Sequence, residues 1–212
     1  MGQNTTTERI LDAAEALFAE HGFDGTSLRA VPARAEVNLA AVHYHFGSKM
    51  GLFRALVERR VGEVNRARLD TLDELQRSAA PAAAPLEDVV RAFLAPAFAH
   101  LDADDPGLRA FLQIVGRLHS SRGDHVDAVR DVFAEVSQRF LAALGAALPE
   151  VPASVLAWRL HFVISAMCTQ MADPERIRLL ASGDASSDDA LDQLLAFSVA
   201  GLRAPVPSAS PR

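Results

Sequence analysis

Over its 212 residues the chain is 50% hydrophobic and 23% charged, a globular composition with material for one large or two small domains. A net charge of −6 argues against a protein that coats nucleic acid indiscriminately, because that affinity comes from neutralising phosphates; a specific binder with a few placed cations stays open. The single cysteine, Cys168, excludes an internal disulfide, and without a leader or an apolar run near the roughly 18 residues that cross a bilayer, the expectation is a cytoplasmic protein with no membrane partner.

The pattern is helical nearly throughout, with neither strand-like alternation nor an internal repeat. Thr5 and Glu8 have capping-box spacing, and Ile10, Leu11, Ala14, Leu17 and Phe18 follow as one apolar stripe. Gly22 is the expected end of this first helix. A short second helix is predicted to start after Thr26 or Ser27 and to end near Ala35, and a third runs from its N-cap Asn38 to Gly47. Ser48 caps a fourth, which passes through Leu52, Leu56, Val61 and Leu69 toward Leu75. Residues 78–85, with prolines at 81 and 85, form the clearest linker.

Beyond the linker the periodicity predicts helices at about 86–101, 106–121, 124–148, 152–172 and 187–203, the first kinked at Pro96. Val126, Val129, Phe133, Val136 and Phe140 give the 124–148 segment one packing face. The 152–172 segment is apolar on two faces, with Trp158, Phe162, Ser165 and Thr169 on one and Leu160, Ile164, Met167 and Met171 on the other. Such a helix must be covered twice, which predicts core on one side and a second subunit on the other. Ala204–Arg212, rich in Pro and Ser, is expected to be a disordered tail.

The segment VNLAAVHYHFGSK, residues 37–49, raises the question of chemistry. At about 100° per residue, His43 and His45 fall on nearly opposite sides of a helix, so they cannot chelate one metal. Leu39, Val42 and Phe46 form the expected inward face. Ala40 and Tyr44 then point outward, Ala41 and His43 sit to either side, and His45 lies at the margin. Lys49 follows one turn later, within reach of a phosphate. Two short helices around a tight turn, the second with an exposed face, match helix-turn-helix layout; three packed helices with one polar side are the alternative at this level. His161 and Cys168 share a face but lie roughly 10.5 Å apart along the axis, too far for a catalytic pair. Asp102, Asp104 and Asp105 lack the glycine and distal glutamate of a calcium loop. No metal, cofactor or enzymatic activity is expected.

Residues 8–58, ERILDAAEALFAEHGFDGTSLRAVPARAEVNLAAVHYHFGSKMGLFRALVE, resemble the N-terminal domain of TetR-family transcriptional repressors. The likeness is carried by the first-helix motif, by Gly-Phe-x-x-Thr-Ser at 22–27 and by Tyr-x-Phe-Gly-Ser-Lys at 44–49. The resemblance implies an all-α fold in which a three-helix helix-turn-helix domain, residues 1–50, is joined by a long helix to a helical effector-binding and dimerisation domain, residues 51–203, with 204–212 as the tail. It implies a ligand-responsive repressor that binds a palindromic operator in double-stranded DNA as a homodimer. Ser27 and Arg29 would contact backbone or a base edge, Leu39, Ala40, Ala41 and His43 would face bases, and Tyr44, His45 and Lys49 would hold phosphates. Two positions depart from the pattern: Pro32 inside the second helix, and Glu36 at a turn position where glycine is common.

The dimer interface would come from 152–172 and from the stripe Leu191, Leu195, Ser198 and Leu202 of the last helix. An effector pocket would involve Phe93, Phe98, Phe111, Val115, Trp158, Phe162 and Ser165. Residues 150–167 and 110–121 are similar in cast to a fatty-acid-responsive branch, which implies a small apolar effector of fatty-acid or acyl-CoA type. The rival reading is a lipid-like small-molecule carrier with weak or no affinity for DNA.

Overall fold

A computed structural model of the chain describes residues 5–101, 114, 130–173, 177 and 189–206. Among the described residues there are eight helices and no strand: α1 (Thr6–Gly25), α2 (Ala30–Ala35), α3 (Leu39–Phe46), α4 (Lys49–Ala79), α5 (Leu86–Leu101), α6 (Arg130–Ala147), α7 (Ala153–Ala172) and α8 (Ala190–Arg203).

Local chemistry sets the first four. The capping box forms as its spacing requires: Glu8 N–H donates to Thr5 Oγ1 at 3.3 Å, and Thr5 N–H to Glu8 Oε2 at 2.6 Å. Gly22 leaves the helical region with φ 70° and ψ 177°, so α1 breaks where the glycine predicted and resumes for one short turn. Thr26 fastens that break, its hydroxyl reaching the carbonyls of Leu17 at 3.0 Å and Gly22 at 2.7 Å. Pro32 is the third residue of α2, inside the first turn, where its missing N–H has no intrahelical acceptor to lose. Asn38 and Ser48 cap α3 and α4 through the N–H groups of Ala41 and Gly51. Gly51 has a further task, because a Cβ there would collide with the Phe46 carbonyl oxygen where α3 turns into α4.

Two apolar cores share the 31-residue α4. The N-terminal core gathers Ile10, Leu17 and Phe18 of α1, Val31 of α2, Val42 of α3, and Leu52 to Val61 of α4. Phe18, Phe23 and Phe53 meet in it with ring centroids 5.0–5.9 Å apart. From Val64 onward the same helix faces the second core, built by α5, α6, α7 and α8. The face predicted for 124–148 divides between them: Phe133 packs against the first core, while Val136 and Phe140 belong to the second. Val126 and Val129 lie outside the described residues, as does the helix predicted at 106–121 apart from Ile114.

In α7 the two-faced pattern is realised. Leu160, Met167 and Met171 are buried, whereas Trp158 is 64% and Phe162 59% exposed. In α8 one expectation is corrected. Leu195, Ser198 and Leu202 sit at 4%, 2% and 1% exposure inside their own chain, and the exposed aromatic is Phe197 at 73%. The stripe was real, but periodicity specifies a face and not the neighbour that covers it.

Candidate nucleic-acid interface

Glu36 occupies the turn between α2 and α3 with φ 52° and ψ 48°, a left-handed conformation that disfavours a side chain. Arg9 braces it from α1, donating to the carbonyls of Ala35 at 2.7 Å and Glu36 at 3.0 Å and approaching Glu36 Oε2 at 3.5 Å. The turn carries α3 outward from the core with Val42 as its buried anchor, 1% exposed. Phe46 is half-buried. Leu39, read as inward from its phase, is 39% exposed. It is the first residue of the helix, and because side chains tilt toward the N-terminus it projects past the turn instead of onto α1 or α4.

Ala40, His43, Tyr44 and His45 are exposed, Tyr44 at 86%, and Ala41 is half-buried. His43 Nδ1 lies 3.0 Å from the Gly47 carbonyl. A carbonyl only accepts, so Nδ1 carries the proton in this contact, and in the Nδ1–H tautomer Nε2 is the acceptor. His45 Nδ1 lies 3.5 Å from Thr7 Oγ1, which ties the margin of α3 to the start of α1. Lys49 donates to the Asp24 carbonyl at 3.3 Å and sits 4.6 Å above the Phe23 ring. Ser27 and Arg29 are both exposed at the start of α2, where Ser27 Oγ accepts from the Arg29 N–H at 3.3 Å. Sequence reasoning missed Thr7, Arg9 and Thr26; their roles depend on tertiary neighbours, and only Thr26 has a signal, its place beside the Gly22 break.

Charge separates these residues from their surroundings. Between residues 5 and 60, Arg9, Arg34, Arg54, Arg59 and Arg60 each approach a carboxylate of the chain within 4.0 Å. Arg29 and Lys49 have no such partner among the described residues. They are two of the cations that the sequence assigns to DNA, and they stand on either side of α3 in the chain.

Residues 10–56 match the family profile described as bacterial regulatory proteins, tetR family, and residues 91–201 match the one described as tetracyclin repressor-like, C-terminal domain. The chain belongs to the TetR family of transcriptional regulators. Members bind DNA and typically form dimers, and they are regulators and not enzymes. Among curated relatives, the probable HTH-type transcriptional regulator YttP of Bacillus subtilis is 42% identical over 53 residues, 25% of this chain and 26% of that protein. The match thus spans about a quarter of that relative's length. Two solved structures share the TetR fold over nearly the whole chain. NalD, the secondary repressor of the MexAB-OprM multidrug efflux pump in Pseudomonas aeruginosa, aligns with a TM-score of 0.63 at 22% identity, covering 92% of this chain and 94% of its own. The fatty acid degradation regulator FadR from Bacillus halodurans also gives 0.63, at 15% identity, covering 96% and 99%.

In the C-terminal half of this TetR-family chain, the residues expected around an effector divide into two groups. Phe93 and Phe98 are buried in the second core, where Phe93 meets Phe140 edge-on at 5.0 Å. Trp158 and Phe162 lie together on the outer face of α7, ring centroids 6.0 Å apart, each about 200° of helix rotation from buried Leu160. Half-buried Ser165 uses its hydroxyl on its own helix, donating to the His161 carbonyl at 2.8 Å. Phe111 and Val115 lie outside the described residues. A cleft of about 490 Å³ between α4 and α5 is lined by Ala67, Thr71, Leu75, Ala92 and Ala95 among others, and by none of the expected effector residues.

Proposed function

We propose that this regulator is a repressor that binds a palindromic operator as a homodimer and answers to an effector with an apolar part. Residues 1–50 act as the reading head, 51–203 as the effector and dimerisation unit, and 204–212 as a tail. The observation that carries the DNA reading is the charge pattern of the head, where every described arginine but Arg29 is tied to a carboxylate and Arg29 and Lys49 are left to meet phosphates. Ala40 and Ala41 let α3 approach base edges closely, and Leu39, now exposed, adds an apolar contact there. His43 reads a base through Nε2, accepting from an adenine or cytosine amino group when neutral. Tyr44, His45 and Lys49 grip the backbone and set the register, with Ser27 and Arg29 at the groove edge.

One α3 sees only a few base pairs, so two heads related by a two-fold axis supply specificity. The exposed aromatics Trp158, Phe162 and Phe197 support α7 and α8 as that interface, since large exposed apolar patches mark contact surfaces. Effector control is supported by membership of the family and by the core of the C-terminal half. The test is anisotropy of labelled fragments from upstream of the protein's own coding sequence. One fragment should bind selectively, and raising salt from about 50 to about 200 mM should weaken it by roughly a thousandfold. If no fragment is preferred over random DNA, the repressor reading falls and a carrier of small molecules replaces it.

A further inference from the structure

Val61, Val64, Arg68 and Leu72 follow one another along α4 at steps of three, four and four. Arg68 therefore occupies a core position between aliphatic residues, and it is only 4% exposed. Its Nε–H donates to the Phe93 carbonyl at 2.7 Å, Nη1 to Asn65 Oδ1 at 3.2 Å, and Nη2 to the Met167 sulfur at 3.3 Å. The guanidinium carbon also lies 4.4 Å from the centre of the Phe93 ring. Every one of these partners is neutral. No Asp or Glu among the described residues forms an ion pair with it.

Neutral acceptors satisfy hydrogens without balancing charge, and a buried unbalanced charge is expensive. Burial pulls the Arg68 pKa down to about 10, so the group is still a cation at neutral pH. Its ionisable neighbour Cys168 offers no counter-charge, because burial pushes that thiol up to about 11. The tie to α5 needs no net charge, since the amide nitrogen of a glutamine, placed where Nε is, could reach the Phe93 carbonyl. Of the five guanidinium N–H groups three are engaged among the described residues, which leaves one on each Nη.

We propose that Arg68 is the anchor for the head group of the effector, which is a carboxylate-bearing amphiphile. The inference rests on the effector reading given above. The two remaining Nη donors match the two oxygens of a carboxylate. One net positive charge is balanced by one negative charge, which favours a free carboxylate over a multiply charged phosphate ester or an acyl-CoA. The tail would lie among apolar side chains of the same core, where Leu72, Phe93, Phe98, Val163 and Met167 are buried.

The experiment is isothermal titration of the full-length protein with decanoate and with 1-decanol, repeated on Arg68→Met and Arg68→Lys. Decanoate should bind the unaltered protein roughly ten- to a hundredfold more tightly than the alcohol, the difference made by a charge-assisted pair. The preference should vanish in Arg68→Met and shrink in Arg68→Lys. Equal affinity for acid and alcohol in the unaltered protein overturns the anchor while leaving an apolar effector site standing. A preference that survives Arg68→Met also overturns it, by placing the carboxylate elsewhere. Binding of neither ligand removes the effector reading and the anchor together. The acid-against-alcohol contrast needs no variant, so it decides the matter even if a substituted protein fails to fold.

Discussion

In the first half of α4, Arg59 and Arg60 close on the carboxylate of Glu15 from α1; eight residues beyond Arg60, Arg68 is buried with neutral hydrogen-bond partners and no carboxylate partner among the described residues. Glu15 is 3% exposed, and it receives Arg59 Nη2 at 2.7 Å, Arg60 Nε at 3.0 Å and Arg60 Nη2 at 2.9 Å. Arg59 adds Asp12 at 2.7 Å. One buried charge is thus compensated twice over between α1 and α4, and the other has no carboxylate partner among the described residues. The difference teaches what each half is for. Around Glu15 the charges of α1 and α4 are matched, and among the described lysines and arginines up to residue 60 only Arg29 and Lys49 lack a carboxylate partner. On the proposal above, Arg68 is where the C-terminal half would take up an anion. Because α4 runs about 46 Å through both cores, a change at Arg68 acts on the helix that carries the head.

The largest expected effect comes from breaking the completed site. Glu15→Leu removes the buried carboxylate that Arg59 and Arg60 share and leaves Arg59 only Asp12, and should lower the unfolding free energy by about 3 kcal/mol. Urea denaturation of the two proteins measures it. A loss under about 1 kcal/mol would mean that Arg59 and Arg60 simply turn to solvent and that the pair does not fasten α1 to α4.

The next effect is on DNA. Lys49→Ala removes one phosphate contact from each protomer, so affinity should fall about tenfold or more on every sequence and the salt slope should drop by about 2 for a dimer. His43→Ala should instead relax the preference at one base pair in each half-site, by about 1–3 kcal/mol, with the salt slope unchanged. Parallel anisotropy titrations on matched and mutated operators separate them. If His43→Ala weakened all sequences alike, the division of α3 between reading and gripping would be wrong.

Arg68→Met gives the counterpart to Glu15→Leu. The folded-state pKa of this cation is depressed, so the destabilisation from burying its charge is fully present below about pH 10 and is relieved only as pH rises from there toward the ordinary value of a solvated guanidinium. Removing the charge at neutral pH offsets the lost hydrogen bonds, and stability should stay within about 1 kcal/mol of the unaltered protein. A loss as large as that of Glu15→Leu, measured in the same urea series, would show that Arg68 is a structural tie after all.

How much of this could be read beforehand follows the range of the interactions. The caps at Thr5, Asn38 and Ser48 and the break at Gly22 are decided within four residues, and the sequence patterns located them; whether Pro32 fell in the first turn or the interior of α2 stayed open, because that depends on where the helix begins. The exposed face of α3 was legible for the same reason, except for Leu39, where the end of the helix mattered more than its phase. The effector residues were less legible. Trp158 and Phe162 share an apolar pattern with Phe93 and Phe98, and nothing in periodicity tells an outer face from a core. Arg68 was missed although its signal was present, an arginine four residues from Val64 and four from Leu72 on an apolar stripe. Charge on a long helix is ordinarily solvated, and only the packing of α5 and α7 over that stripe reveals the exception.

The smallest expected effect tests the turn of the head. Glu36 holds φ 52° where glycine would sit without strain, at a penalty of about 1 kcal/mol for a residue with a Cβ. Arg9 grips this turn mainly through the backbone, by the carbonyls of Ala35 and Glu36, and its 3.5 Å approach to the Glu36 carboxylate is exposed and weak. Glu36→Gly keeps the backbone bonds and relieves the strain, while the unfolded chain gains freedom that takes back part of the benefit. The net should be a gain of about 0.5 kcal/mol in urea denaturation, with operator affinity raised slightly because a negative charge leaves the neighbourhood of α3. A loss of stability would mean that the Arg9–Glu36 pair outweighs the strain, and that this turn, like the Glu15 site, is held by charge.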